Sequence, residues 1–177
     1  MTNKKEVQQI IDELLKDNKK YQNKNTDELK KHVAGQNPKV TVLTCSDSRV
    51  VPEYIFNKKI GEIFVVRVAG NVAFDSSVIT SLEYAVEHLK TPLLIILGHT
   101  HCGAVNAAES SPDINDGLIG EIRESFSLGK DHVLSNLKRQ LDLIHMRSKV
   151  ISDAIRKDEL VLKGAIYYLD TGEVKFL

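Results

Sequence analysis

The stretch that decides the fold is Leu93-Leu94-Ile95-Ile96-Leu97-Gly98-His99-Thr100-His101-Cys102-Gly103. Its first five residues form an unbroken apolar run, which is typical of a strand buried on both faces of a parallel sheet. The run ends at a glycine, and the residues from 103 onward predict a new helix. A buried strand that leads through a polar loop into a helix is the repeating unit of an α/β domain.

The rest of the chain repeats this alternation of strand and helix. Further strands are predicted at 40–44, 63–68, 160–168 and 174–177, with helices at 52–56, 76–89 and 131–148 and a shorter helical segment at 152–157. Thr171-Gly172 predicts a tight turn, so that the last strand runs antiparallel to its predecessor. We therefore expect an α/β fold whose central sheet is mainly parallel, with one antiparallel edge strand and flanking helices.

The N-terminal segment has a helical pattern but too few apolar residues for a core of its own. Residues 4–20 predict one helix, and Asn25 followed by Glu28 predicts the start of a second helix that ends at Gly35. This helical arm, residues 1–35, either lies on its own domain or packs on a second subunit. Residues 109–120 are rich in serine, glycine and aspartate, and they predict a loop that leads into a short helix.

Length and composition narrow the class of protein. A chain of 177 residues is expected to form a single domain, 1–177. Lys and Arg number 24 and Asp and Glu number 24, so no net field points to nucleic acid or to an anionic membrane. No signal peptide follows the first lysines, and the longest apolar run is too short to span a bilayer. Two cysteines make no disulfide framework. These features predict a cytoplasmic protein.

Both cysteines lie where a predicted strand ends, and a histidine accompanies them. Cys45 follows the strand at 40–44, whereas His99 and Cys102 follow the strand at 93–97. Strand carboxyl ends meet at one edge of a parallel sheet, where ligands bind. Two thiolates and an imidazole suit Zn²⁺, and three protein ligands leave a fourth position open, as catalytic zinc requires. The alternative is that both cysteines are ordinary buried apolar residues.

Asp47 and Arg49 follow Cys45 where the chain leaves its strand. One interpretation is a surface ion pair of little energetic value. The other is that the carboxylate accepts a hydrogen bond from a zinc-bound hydroxide and orients it, while the guanidinium keeps the carboxylate ionised and fixed.

At these residues the chain resembles the β-class carbonic anhydrases. Residues 45–49, Cys-Ser-Asp-Ser-Arg, match the family motif C-x-D-x-R, and residues 98–103 match G-H-x-x-C-G. Residues 67–71, Arg-Val-Ala-Gly-Asn, match the segment between the motifs, and the resemblance extends from about residue 30 to the end. The chain has no tryptophan, which favours the plant-like branch over the branch that uses one in an anion pocket.

The resemblance implies a role for each matching residue. It makes Cys45, His99 and Cys102 the Zn²⁺ ligands, and Asp47 with Arg49 the catalytic pair that orients the hydroxide. It also implies four substrate-binding positions, namely a glutamine that bonds substrate, two aromatic residues of a CO₂ pocket and a backbone amide near the metal: Gln36, Phe64, Tyr84 and Gly103.

The implied activity is that of a lyase, the reversible hydration of carbon dioxide to bicarbonate and a proton. The family also implies a homodimer, or a higher assembly of dimers, in which the N-terminal arm embraces the partner and Gln36 comes from the partner chain. Two alternatives remain open. The same zinc site could hydrolyse carbonyl sulfide or carbon disulfide, or the metal could belong to a non-catalytic zinc-binding domain, although structural zinc usually has four protein ligands.

Overall fold

The computed structural model describes residues 3–111 and 117–177. The chain divides into two compact units, Met1–Gln36 and Asn37–Leu177. The first unit consists of one long helix, α1 (Lys4–Lys31), whose N-terminus is capped by the side chain of Asn3. None of the α1 residues is buried.

The predicted break in the arm near residue 25 is wrong. Helix α1 continues through Asn25 and Thr26, because both side chains bond to carbonyls of the preceding turn instead of capping a new helix. The Nδ2 of Asn25 donates to the carbonyl of Tyr21 at 2.8 Å, and the Oγ1 of Thr26 donates to that of Gln22 at 2.7 Å. Such back-bonding lets short polar residues remain inside a helix. The helix ends at Lys31, before Gly35.

The second unit is built on a five-stranded sheet with the order β2-β1-β3-β4-β5. Strands β1 to β4 pair in parallel, and β5 pairs antiparallel with β4, which confirms the predicted sheet and its antiparallel edge. The strands are β1 (Val40–Thr44), β2 (Ile63–Arg67), β3 (Leu93–His99), β4 (Val161–Tyr167) and β5 (Val174–Phe176).

Helices connect the parallel strands and cover the sheet. They are α2 (Pro52–Ile55), α3 (Ser76–Glu87), α4 (Gly103–Ser110), α5 (Gly117–Glu124), α6 (His132–Arg147) and α7 (Lys149–Arg156), with 3₁₀ turns at Ala69–Asn71 and Ser125–Leu128. As predicted, α3 is capped by Asp75, and α6 begins directly after Asp131. The predicted loop at 109–120 is wrong at its start, because α4 extends to Ser110, whereas the short helix predicted to follow is confirmed as α5, which begins at Gly117; residues 112–116 lie outside the described residues.

Helix α7 begins three residues earlier than predicted. Ser148 ends α6, and its side chain accepts a hydrogen bond from the amide of Ile151, so one residue caps two successive helices. The apolar cores formed by the helices and the sheet make β3 almost wholly buried, as its composition predicts. Within residues 3–111 and 117–177, no helix is long and apolar enough to cross a membrane.

Candidate metal centre

The candidate site lies where β1 and β3 run side by side. These two strands are neighbours in space but not in sequence, so the chain leaves them toward opposite sides of the sheet. Thr44, the last residue of β1, is the register partner of Leu97 in β3. A crevice forms at such a switch point, outside the carboxyl ends of the strands. Cys45 follows β1, and His99 ends β3, so the predicted meeting of the two motifs is confirmed.

Cys45, His99 and Cys102 converge with geometry that suits a tetrahedral metal. One potential ligand atom from each residue lies within 4.8 Å of the other two. The two Sγ atoms are 4.0 Å apart. Sulfur ligands about 2.3 Å from a tetrahedral Zn²⁺ lie roughly 3.8 Å apart, so only a small adjustment is needed. All three side chains are buried, with exposed fractions of 4%, 0% and 2% in chain order.

The imidazole of His99 is oriented as a metal ligand. Its Nδ1 lies 2.9 Å from the carbonyl oxygen of Thr100, which can only accept, so Nδ1 carries the proton. The Nε2 atom is then an unprotonated acceptor, and it is buried with no hydrogen-bond partner. A buried polar atom without a partner is costly. A metal ion between Nε2 and the two sulfurs would satisfy it, so the donor set fits Zn²⁺.

The pKa values of the two cysteines are shifted in opposite directions. A hydrogen bond from Cys102 lowers the pKa of Cys45, and contacts from His99 and from the backbone amide of Gly70 act in the same direction. The same sulfur contact raises the pKa of Cys102, and burial adds to that effect. A divalent cation bound by both sulfurs would need both thiols deprotonated, so metal binding at this site would release protons.

Asp47 is held firmly by Arg49. The Nε of Arg49 donates to Oδ1 of Asp47 at 2.9 Å, and Nη2 donates to Oδ2 at 2.7 Å. The backbone amide of Arg49 also donates to Oδ1, at 3.0 Å. These bonds hold the pKa of the Asp47 carboxyl well below its usual range. Oδ2 lies 3.9 Å from Nε2 of His99, so an ionised carboxylate stands beside the converging ligands.

Two arginines fix the loop that follows Cys45. The Nη2 of Arg67 donates to the carbonyl of Asp47 at 2.7 Å, and its Nε donates to that of Cys45 at 3.4 Å. Arg49 also reaches the second motif, because its Nη2 donates to the carbonyl of His101 at 3.2 Å. No individual role was predicted for Arg67 from the sequence. Its position at the end of β2, next to the end of β1, was the available signal.

The turn after β2 brings a further group to the site that sequence reasoning missed. The backbone amide of Gly70 donates to Sγ of Cys45 at 3.2 Å. Gly70 has φ +67°, and a Cβ there would lie 2.5 Å from Cδ1 of Ile122. A side chain here would hold an unfavourable positive φ and displace Ile122, so glycine is favoured, and the Gly-Asn pair after a strand was the signal for it.

The aromatic pair predicted to line a pocket lies apart from this cluster. The rings of Phe64 and Tyr84 are 6.1 Å apart, and Tyr84 is 47% exposed. Phe64 is the register partner of Thr41, which at about 3.3 Å per residue lies roughly 13 Å along β1 from Cys45. Gly103 begins α4 directly after Cys102, with open space beside its Cα. Gln36 is exposed and belongs to the first unit.

The fold and site define a class: an α/β protein with a buried two-cysteine, one-histidine metal site at a sheet switch point. The chain matches the carbonic anhydrase family model over residues 40–174. It is 40% identical over 156 residues to carbonic anhydrase 2 of Mycobacterium tuberculosis, covering 78% of this chain and 74% of that protein.

Solved structures of the same class superimpose closely on the chain. The Coccomyxa β-carbonic anhydrase, determined with acetazolamide, has a TM-score of 0.80 and 30% identity, covering 93% of this chain and 84% of that one. The β-carbonic anhydrase CafA of Aspergillus fumigatus has a TM-score of 0.78 and 30% identity, covering 94% and 90%. The chain belongs to the β-class carbonic anhydrase family and is a carbonic anhydrase.

Proposed function

We propose that this enzyme binds Zn²⁺ through Cys45, His99 and Cys102 and catalyses the reversible hydration of carbon dioxide to bicarbonate and a proton. The observation that carries the proposal is the buried Nε2 of His99. It has no partner, its proton is fixed on the opposite nitrogen, and two thiols lie beside it. A bound Zn²⁺ would acidify a water molecule in its open fourth position and so supply a nucleophile near neutral pH.

The chain's own residues then orient the reaction. Asp47 remains ionised and accepts a hydrogen bond from the nucleophile. This hydrogen bond orients the nucleophile so that one of its lone pairs points at the carbon of CO₂. Arg49 holds both oxygens of Asp47, so the carboxylate cannot rotate freely. Arg67 donates a hydrogen bond to the backbone carbonyl of Asp47. Asp47 and Arg49 are therefore held in a single orientation relative to the site. The backbone amide of Gly103, at the N-terminus of α4, would donate a hydrogen bond to a substrate oxygen on which negative charge develops.

We propose that the substrate pocket is completed in a homodimer, alone or within a higher assembly of dimers, as in the plant-like branch. Half-buried Phe64 and exposed Tyr84 form an aromatic pair too far along the sheet to contact a substrate at the same chain's metal site. They suit an apolar wall of the partner's pocket, and Gln36 would supply a hydrogen bond to the partner's substrate. Two buried free thiols that must stay reduced to bind metal favour the cytoplasm.

The deciding experiment is stopped-flow CO₂ hydration with zinc content measured on the same sample. The parent chain should carry one zinc per chain and hydrate CO₂ at a rate that rises with pH. Cys102→Ala should lose both the metal and the activity, because removal of one of three ligands leaves no stable site. Val105→Ala is the matched control, since Val105 is buried three residues away and offers no ligand atom.

Two outcomes would contradict the proposal. Full zinc occupancy in Cys102→Ala would contradict the ligand set. A zinc-loaded parent that hydrolyses carbonyl sulfide but leaves CO₂ unchanged in a parallel assay would contradict the substrate.

A further inference from the structure

Helix α6 places two amide side chains in an otherwise apolar region near the site. Asn136 and Gln140 are one helical turn apart, and their exposed fractions are 1% and 0%. Buried amides are retained only where they are hydrogen-bonded, because their desolvation is otherwise uncompensated. The partners of these two side chains therefore show what they do in the fold.

Two of their hydrogen bonds reach the segment that follows β2. The Nδ2 of Asn136 donates to the carbonyl of Gly70 at 2.8 Å. The Oε1 of Gln140 accepts from the amide of Ala73 at 2.7 Å. The two side chains are joined to each other, since Nε2 of Gln140 donates to Oδ1 of Asn136 at 3.0 Å. Helix α6 is thus hydrogen-bonded to this turn at two residues, Gly70 and Ala73.

The same turn also donates a hydrogen bond to Cys45. Gly70 offers its carbonyl to Asn136 and its amide to Sγ of Cys45, at 3.2 Å. Both Gly70 and Asn71 have left-handed backbone conformations, with φ of +67° and +49°. This conformation is uncommon outside glycine, although asparagine adopts it more readily than most residues, and hydrogen bonds from neighbouring groups help to hold the turn.

We propose that Asn136 and Gln140 are positioning residues for the metal centre, acting through the Gly70 amide on the thiolate of Cys45. The hydrogen bond from Gly70 fixes the rotamer of Cys45 and withdraws charge from its sulfur, and the α6 amides hold that donor in place. Groups that hydrogen-bond to metal ligands and orient them commonly tune the affinity for the metal. This inference rests on the metal-binding part of the proposed function.

The test is zinc affinity, measured by competition with a chromophoric chelator on the folded full chain. Asn136→Asp keeps the shape but replaces the donor to Gly70 with an acceptor, and it should weaken zinc binding by about 10- to 100-fold. Gln140→Glu keeps the acceptor for Ala73 but loses the donor to Asn136, and it should weaken binding by a smaller factor. In the cobalt-substituted protein, both should shift the thiolate-to-cobalt charge-transfer band.

Thr41→Val is the matched control, because it removes a buried hydrogen bond, 2.8 Å to Thr91, that has no link to Gly70. It should lower stability but leave zinc affinity and the cobalt spectrum unchanged. Folded Asn136→Asp with parental affinity and spectrum would overturn the inference. If that variant does not fold, Gln140→Glu decides by the same two measurements. A parent chain that binds no zinc would refute the proposed function itself, whereas equal binding by parent and variants refutes only this inference.

Discussion

Asp47 differs from an ordinary surface carboxylate in how completely it is held. Three donors from Arg49 contact it, and a fourth bond fixes its own carbonyl. We predict that Asp47→Asn will keep its zinc but hydrate CO₂ about 100-fold more slowly, because a misdirected nucleophile is the expected consequence of losing one orienting acceptor. Stopped-flow rates normalised to zinc content measure this effect. Asp170→Asn is the control, because it makes the same carboxylate-to-carboxamide change at an exposed turn residue, and it should retain the parental rate. An Asp47→Asn rate equal to that of the parent would remove the orienting role.

At the scale of single residues, sequence predicted the groups that lie at strand ends. Cys45 and His99 follow runs whose strand character is evident, and the parallel sheet brings those ends together. The contribution of Arg67 was missed although it also lies at a strand end, whereas those of Gly70 and Asn136 could not be predicted in the same way. Each depends on where one element packs against another, and the amide of Gly70 carries no side-chain signal.

The junction of α6 and α7 shows how one side chain organises two elements. Ser148 is fully buried, its amide closes α6, and its Oγ both accepts from the amide of Ile151 and donates to Glu83 of α3. Ser148→Ala should lower the free energy of unfolding by about 1–2 kcal/mol, since it removes a helix cap and leaves buried partners unsatisfied. Urea denaturation measures this as a lower midpoint with an unchanged slope.

Ser127→Ala is the matched control for that prediction. Its hydroxyl donates to the carbonyl of Glu124 at an exposed position, where water can replace it. The control should change stability by less than about 0.5 kcal/mol. Equal losses in the two variants would contradict the capping role of Ser148.

The helices also show where sequence patterns fail at the scale of elements. Asn25 and Ser148 are both polar residues of the kind that begins helices. Ser148 does so as the N-cap of α7, and the predicted start of that helix at residue 152 was wrong. Asn25 instead bonds backward to Tyr21 and leaves α1 continuous. The local sequence allows either conformation for such residues, and the remainder of the fold selects one of them.

At the scale of the whole molecule, helix α1 carries an exposed apolar stripe. Six apolar or aromatic side chains lie at helical spacing on α1, and each is 39–65% exposed: Val7, Ile10, Ile11, Leu14, Leu15 and Tyr21. The sequence pattern predicted a helix at 4–20 and left open whether it packs on its own domain or on a second subunit, because periodicity reveals an apolar face without identifying its partner. We propose a second copy of the chain as the occupant, because it would also give the distant aromatic pair, Phe64 and Tyr84, a partner.

We therefore predict that paired charges in the stripe will separate the subunits. Ile10→Glu with Leu14→Glu places two carboxylates where apolar side chains would be buried, and light scattering after size exclusion should shift the mass toward the 19.8 kDa of one chain. Zinc content should persist, whereas CO₂ hydration should fall because the partner no longer completes the pocket. Gln9→Glu with Lys16→Gln changes the net charge equally on the opposite face of α1 and should leave both mass and rate unchanged. A double variant that keeps the parental mass would show that α1 does not hold the subunits together.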